Sequence, residues 1–299
     1  MSEKAACSGA GTVGLRSAPL EHQAQQVLVR RGDGPGGWHA DKLTTAGWGR
    51  NDAMPTITDQ IPTPDGRCPV MLAVPEGDGP WPGVVMYPDA GGARPAIAGM
   101  ASRLAGLGYA VLVPDVYYRE GDWAPFDMAG VFADEAERRR LFAMMKAVTP
   151  SVMEADARVF SDYLADRPEV AGERFGLTGY CMGGRTSLVV AGRVAHRVAA
   201  ALSFHGGGLV SDDPDSPHLL ADRIEAAVYI GAAENDPTYT PAQSEILDSA
   251  LTAAGVEHVI EWYPAAHGFA VPDNAPYDPA AAERHWRATE DFLAAHLPR

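Results

Sequence analysis

A cysteine flanked by two glycines is the feature that most constrains how this chain can fold. A mostly apolar run, residues 175–178, leads into Gly179, and Cys181 stands midway between Gly179 and Gly183. The apolar residues that follow, 186–191, suit a buried helix. A strand that turns sharply into a helix needs glycines where the two backbones pass closely, and it holds the central side chain clear of the main chain. The pattern therefore predicts a nucleophile elbow centred on Cys181.

The residue at the centre of such an elbow is usually serine. Cysteine is the stronger nucleophile when it is ionised, and the N-terminus of a helix favours the thiolate. The alternative is a free cysteine that packs as a small apolar side chain. The flanking glycines and the apolar run before them favour the interpretation of Cys181 as a nucleophile.

The charge and cysteine content of the 299-residue chain limit its partners. A net charge of −15 argues against nucleic acid or an anionic membrane as a partner. No apolar run approaches the roughly 18 residues of a membrane span. Three scattered cysteines, Cys7, Cys68 and Cys181, do not suit a disulfide framework or a zinc site. We therefore expect a cytoplasmic protein without a metal, and the sequence leaves open whether it is a monomer or a homodimer.

The chain divides into two parts by composition. Residues 1–53 are rich in Gly, Ala, Arg and Gln, include the flexible tract 32–37, and are predicted to be a disordered N-terminal extension. No second boundary follows, so residues 54–299 are predicted to form one domain.

Short apolar runs alternate with amphipathic helical patterns along this domain. The runs predict strands at 56–58, 68–74, 83–87, 109–113, 174–177, 198–203, 226–230 and 258–262, and the helical patterns cover 95–107, 134–146, 151–165, 186–191, 240–254 and 279–296. Ser151, with Glu154 three residues later, is expected to cap the third helix. The alternation is typical of an α/β protein with a doubly wound, mostly parallel sheet flanked by helices.

Three residues suited to nucleophilic catalysis follow predicted strands, and their order along the chain is informative. Cys181, Asp236 and His267 appear in the nucleophile–acid–histidine order of α/β hydrolases, and an open parallel sheet places its site at these strand ends. His267 is the candidate general base and Asp236 the group that orients it. Glu234 is the competing acid. A surface histidine and an aspartate that only caps its turn are the alternatives.

Two glycine-rich loops are further candidates. An oxyanion needs backbone N–H donors, and Met182, with Ala90 or Gly91, is expected to supply them. The glycine-rich turn 206–208 follows the nucleophile rather than preceding it, so it is interpreted as a strand-end turn, with His205 lining the pocket.

These residues resemble the dienelactone hydrolases (carboxymethylenebutenolidases), a cysteine branch of the α/β hydrolases. The resemblance covers residues 54–299 and rests on 179–184, 108–115 with Tyr117, Asp236, and 267–269. It implies the α/β-hydrolase fold. It also implies a Cys–His–Asp triad that opens a small ester or lactone through an acyl-cysteine intermediate, with no cofactor.

The resemblance assigns roles to further residues. It places Asp89 where the family has a glutamate that activates the thiol, and aspartate is one methylene shorter. It places Arg119, with Tyr117, at the substrate, where the family holds a carboxylate with two arginines. The position of the second arginine is Val271. This departure weakens the expectation of a dienelactone-like acid as substrate.

Two other functions remain open at this stage. The same fold supports a thioesterase or carboxylesterase with larger acyl substrates bound under residues 116–150. Alternatively, Cys181 is a redox-sensing thiol on a scaffold of low activity. A sensor has no need of an acid and a histidine at neighbouring strand ends, so it ranks last.

Overall fold

Eight strands form one sheet in the computed structural model, which describes residues 54–297 and 299. The strands are β1 Thr56–Thr63, β2 Gly66–Ala73, β3 Trp81–Tyr87, β4 Ala110–Pro114, β5 Val170–Tyr180, β6 Val198–Phe204, β7 Ala227–Asn235 and β8 His258–Ala266. Their order across the sheet is β1-β2-β4-β3-β5-β6-β7-β8. Strand β2 is antiparallel to β1 and β4, and the other pairs are parallel. The predicted extension over residues 1–53 lies outside the described residues.

Six helices flank the sheet on both faces. They are α1 Pro95–Ala105, α2 Glu135–Ala147, α3 Pro150–Ala165, α4 Met182–Arg193, α5 Pro241–Ala253 and α6 Pro279–His296. Buried residues of α3, α4 and α5 belong to one apolar core, and those of α1 and α6 belong to a second core. The two cores are the two faces of a doubly wound sheet, so the predicted α/β fold is confirmed. Within residues 54–297, no helix combines the length and apolar character needed to cross a membrane.

The sequence predicted the helix positions more closely than their caps. The predicted start of α5 is correct, because Thr240 and Gln243 form a reciprocal capping box ahead of Pro241. The predicted cap of α3 is wrong, because Ser151 lies inside the helix. Thr149 is the N-cap, and its hydroxyl accepts from Val152 N. Proline at the first helical position explains this start.

The central strands are buried as expected for a covered parallel sheet. All five residues of β4 are buried, and so are the last six residues of β5. Strand β5 begins earlier than predicted, because Val170 pairs with Trp81 before a register shift. Since β5 lies between β3 and β6, its C-terminal end brings Cys181 to the middle of the sheet edge.

The two glycines of the elbow lie at backbone contacts that exclude a side chain. A Cβ on Gly179 would lie 2.0 Å from the Gly183 carbonyl oxygen. A Cβ on Gly183 would lie 2.2 Å from the carbonyl oxygen of Tyr87 and 2.5 Å from that of Pro88. Both contacts are with main-chain atoms that a rotamer change cannot move. The glycines therefore allow α4 to pack directly against the ends of β3 and β5.

We expect Gly183→Ala to destabilise the fold by about 3 kcal/mol or more, because the new methyl group forces the elbow and the end of β3 apart. Urea unfolding followed by circular dichroism measures this change. Gly130→Ala is the control, since its Cβ would meet only the exposed Asp127 carboxylate, at 2.9 Å. Equal unfolding midpoints for the two variants would contradict the account.

Candidate active site

Cys181 occupies a strained turn between β5 and α4. Its backbone has φ 54° and ψ −114°, a conformation that residues with a Cβ rarely adopt, and it is the N-cap of α4. Its N–H donates to Phe204 O at 3.0 Å, and its carbonyl accepts from Arg185 N at 3.2 Å. These bonds hold the main chain on both sides, so the partly exposed thiol projects from the turn.

His267 and Asp236 are joined directly. The Nδ1 atom of His267 lies 2.6 Å from Oδ2 of Asp236. Because an ionised carboxylate only accepts hydrogen bonds, Nδ1 carries the proton and Nε2 is left for another partner. Thr238, which the sequence analysis missed, donates its N–H at 2.8 Å and its hydroxyl at 2.6 Å to Asp236 Oδ1. Glu234, the competing acid, is exposed.

The electrostatics of this pair favour charged forms. Burial lowers the pKa of His267, but its interactions with Asp236 and Cys181, together with the charges of both partners, raise it to about 10. Burial acts to raise the pKa of Asp236, and the bonds from His267 and Thr238 outweigh it and lower that pKa. The side chain of Asp236 is fully buried, whereas that of His267 is 28% exposed. The pair therefore joins a sealed carboxylate to a partly exposed imidazole.

The predicted oxyanion donors differ in whether their N–H groups already have an acceptor. Met182 begins α4, so its N–H has no partner within the helix. Ala90 N–H has no acceptor among residues 54–297. The expectation for Gly91 is wrong, because its N–H donates to Oδ1 of Asp89 at 3.0 Å. The aspartate closes its own turn in this way, which leaves Ala90 and Met182 as the available pair.

Tyr117 contacts both residues that are the candidate oxyanion donors. The residue is buried, and its hydroxyl donates to Ala90 O at 2.9 Å and lies 3.6 Å from Met182 Sδ. Trp123 packs edge-on against the Tyr117 ring, with 5.5 Å between centroids. The sequence predicted Tyr117 at the substrate, whereas in the structure its hydroxyl supports the loop of Ala90.

A buried arginine that the sequence analysis missed fixes this loop from the other side. Arg94 binds Asp89 through Nη1 at 2.6 Å and Nη2 at 3.0 Å, and it binds Asp273 through Nε and Nη2, both at 2.8 Å. Asn274 Nδ2 also donates to Asp89, at 3.0 Å. The loop of Asp89 is thereby tied to the loop that follows His267. The available signal was that Asp89 and Arg94 are the only charges between residues 79 and 102.

These contacts bear on the expected thiol activation. Both carboxylate oxygens of Asp89 accept from Arg94, and the side chain is almost completely buried. In the described part of the chain, Asp89 makes no hydrogen bond to Cys181. Burial raises the pKa of Tyr117, and the nearby charge of Asp89 raises it further. Its direct contribution is to hold the loop.

Neither of the two positions at which the family binds a carboxylate is available to a substrate in this structure. Arg119 binds Asp156 through Nη1 and Nη2 at 2.7 and 2.8 Å, and it binds Asp65 through Nε at 2.9 Å. Two carboxylates thus occupy its guanidinium. Val271 is fully buried in the core. A substrate anion therefore needs another partner than these two positions.

His205 lies behind His267 and does not line an open pocket. It is 1% exposed, has φ 39°, and its ring lies 5.3 Å from that of His267 in an edge-on contact. Burial, together with the charges of His267 and His285, lowers its pKa well below the usual value. His205 is thus a neutral side chain that packs against the candidate base.

Comparison of the sequence with a known protein family agrees with this geometry. The model of the dienelactone hydrolase family matches residues 68–297. The chain belongs to the dienelactone hydrolase family. It is accordingly a hydrolase of ester or lactone bonds. Within residues 54–297, no group of three or more His, Cys, Asp or Glu side chains is arranged to hold a metal ion.

Known members of the family align over most of the chain. A "Putative carboxymethylenebutenolidase" of Synechocystis sp. is 28% identical over 210 residues, covering 69% of this chain and 82% of the relative. The carboxymethylenebutenolidase of Pseudomonas putida is 27% identical over 194 residues, covering 64% and 77%. The crystal structure of a "Putative Dienelactone Hydrolase" from Klebsiella pneumoniae superimposes with a TM-score of 0.70 at 25% identity, covering 81% of this chain and 98% of that one.

We expect Arg94→Met to destabilise the dienelactone hydrolase by about 3–5 kcal/mol, because it leaves the buried carboxylate of Asp89 unpaired. We also expect kcat for an ester substrate to fall about 10-fold or more, since Ala90 is no longer held in place. Urea unfolding and ester kinetics on the same samples measure both effects.

Arg139→Met is the matched control for this change. Arg139 forms an exposed ion pair with Glu135 in α2, and its loss should cost less than about 1 kcal/mol. If Arg94→Met behaved like Arg139→Met in both measurements, the ion pairs of Arg94 with Asp89 and Asp273 would have no positioning role.

Proposed function

We propose that this enzyme hydrolyses small esters or lactones through an acyl-cysteine intermediate on Cys181. The observation that carries the proposal is the 2.6 Å bond between His267 and Asp236, with the same imidazole close enough to Cys181 of the strained elbow for the two groups to interact electrostatically. A nucleophile, a base and a group that orients the base are the parts that covalent acyl transfer requires. The family supports the class of bond that is cleaved.

In the proposed acylation step, the Cys181 sulfur attacks the substrate carbonyl carbon. The thiol proton is already held by His267 Nε2, since the raised pKa of His267 keeps it an imidazolium, which the adjacent Asp236 stabilises. The carbonyl oxygen gains negative charge and accepts from the N–H groups of Met182 and Ala90. The C–O bond then breaks, and His267 returns the proton to the leaving alkoxide. The product of this step is a thioester on Cys181.

Hydrolysis of the thioester completes the proposed cycle. His267 takes a proton from a water molecule, whose oxygen attacks the thioester carbonyl. The same two N–H groups stabilise the second oxyanion. The C–S bond breaks, the acid product leaves, and His267 again holds the thiol proton. Asp89, with both oxygens bound by Arg94, is not needed as a base in either step.

A thioesterase or carboxylesterase with larger acyl substrates is the second candidate. It uses the same residues, so only the substrate distinguishes it from lactone hydrolysis. The side chain of Trp123 packs against Gly92 and Tyr117, which places the segment 116–150 beside the oxyanion loop. A panel of esters, thioesters and lactones of increasing chain length separates the two functions. A redox-sensing thiol stays third, and peroxide oxidation of Cys181 in a protein without turnover would favour it.

Several expectations stay predictions. A cytoplasmic location suits a thiol that must remain reduced. The net charge of −15 still argues against nucleic acid and anionic membranes as partners. Whether the enzyme is a monomer or a homodimer requires a measurement in solution.

We expect Cys181→Ala to abolish hydrolysis of a neutral 4-nitrophenyl ester, because no other group forms the acyl intermediate. Intact-mass spectrometry of the rapidly quenched unaltered enzyme should show an acyl adduct, and peptide mapping should place it on Cys181. Cys68→Ala is the control, since Cys68 is buried in β2 and should leave adduct formation intact. Full turnover by the Cys181→Ala variant would contradict the proposed mechanism.

We expect kcat/KM to persist into alkaline pH. The pKa of His267 is raised to about 10, so its imidazolium remains available to protonate the leaving group well above pH 7. The falling limb of the profile should therefore lie above pH 8. In Asp236→Asn, one cause of the raised pKa is gone, and the limb should move to lower pH. A falling limb near pH 6.5 in the unaltered enzyme would contradict this assignment.

A further inference from the structure

We propose that the free edge of β8 binds a second copy of this chain, with the two β8 strands paired antiparallel across a two-fold axis. Strand β8 ends the sheet, and within residues 54–297 it pairs only with β7. Its other edge therefore presents main-chain groups that another strand can bind. The inference concerns assembly and does not depend on the proposed reaction.

The hydrogen bonds to β7 identify which residues of β8 face the free edge. Val228 N–H donates to Glu257 O at 2.9 Å, and Val228 lies opposite His258 in the parallel register. Successive residues of a strand direct their N–H and C=O groups to opposite sides, so every second residue from Glu257 onward bonds to β7. The main-chain groups of His258, Ile260 and Trp262 consequently point to the free edge.

The main chain of this stretch, residues 258–262, is not protected against pairing. Natural edge strands are kept apart by exposed charges, by proline or by bulges. The strand at the opposite end of the sheet, β1, carries the exposed residues Asp59 and Pro62. In β8 the first proline is Pro264, which lies beyond the stretch. The two edges of the sheet therefore differ, and only β8 is open to a second strand.

The side chains of the stretch do not oppose a partner either. Glu261 is its only acidic residue, and the carboxylate is bound by Arg284 of α6. His258 Nε2 lies 3.1 Å from Oδ1 of Asp248 in α5. Val259 is apolar and yet 45% exposed. The stretch thus combines available main-chain groups with paired charges and an exposed apolar side chain.

The helix beside β8 leaves this surface accessible. A groove of about 420 Å³ lies between β8 and α6, and it is lined by Val259 and by the small side chains of Ala288 and Ala295. Because α6 presents small residues here, it does not cover Val259. A second strand can therefore approach the edge without displacing the helix.

The stretch is complementary to itself in one register. When two antiparallel copies are centred on Ile260, Ile260 meets Ile260 and His258 meets Trp262, so all three outward residues form hydrogen-bonded pairs. Centring the pair one residue later places Glu261 against Glu261, and centring it one residue earlier places Glu261 against Glu257. Like charges directly opposite each other are unfavourable. A surface that pairs with itself in this way forms an isologous dimer, which is why a second copy is the partner.

The first test is sedimentation velocity of the full chain over a range of concentrations. We expect a dimer that dissociates on dilution, measured at about 0.15 M salt, where the long-range repulsion between two chains of net charge −15 is screened. Val259→Glu should raise the dissociation constant roughly 10-fold or more, because each new glutamate lies opposite Glu261 of the other copy. Val259→Lys should keep the dimer, since lysine meets the same Glu261.

Leu219→Glu is the matched control, because Leu219 is a 52% exposed apolar residue outside β8. It should leave the dissociation constant unchanged, and circular dichroism checks that every variant is folded. A full chain that stays monomeric at every concentration overturns the proposal. So does a dimer that Val259→Glu leaves intact, or one that Val259→Lys weakens as much as Val259→Glu does.

Hydrogen exchange resolved at single amides by NMR locates the contact independently of the variants. The N–H groups of Ile260 and Trp262 should become more protected as the protein concentration rises, and Val259→Glu should remove that protection. The N–H of Val259 in the unaltered chain bonds within the sheet, so it should be protected at every concentration. Protection of Ile260 in a monomer would mean that another part of the chain covers the edge, and the proposal would be wrong.

Discussion

The strained backbone of Cys181 is the constraint on which the site depends. A residue with a Cβ at φ 54° and ψ −114° costs of order 1–3 kcal/mol, so the surroundings must impose that conformation. They do so through main-chain contacts, since Gly179 meets Gly183 and Gly183 meets Tyr87 closely enough to exclude any side chain. Strands β3 and β6 hold β5 from both sides. The position of the thiol is therefore a property of the sheet as a whole, and not of its own loop.

The second determinant is how the charges around the thiol are neutralised. Asp236 is sealed and bound to His267, and Asp89 is sealed and bound to Arg94. One carboxylate therefore holds the candidate base, and the other holds the loop of Ala90. Because both are already paired, neither presents free negative charge to a carbonyl oxygen that is becoming an anion. In the proposed reaction, this pairing keeps the acidic residues of the site from opposing the developing oxyanion.

Sequence patterns predicted what depends on local or periodic rules. The elbow, the alternation of strands and helices, and the order of Cys181, Asp236 and His267 all follow from such rules, and the structure joins the last two directly. Strand order and the pairing of distant charges have no local signature. Arg94 and Asp273 are far apart in the chain, so their pairing cannot be predicted from sequence. Likewise, nothing in the sequence shows that Asp65 and Asp156 bind Arg119. Ser151 failed as a cap because a proline fixes the start of α3 one residue earlier.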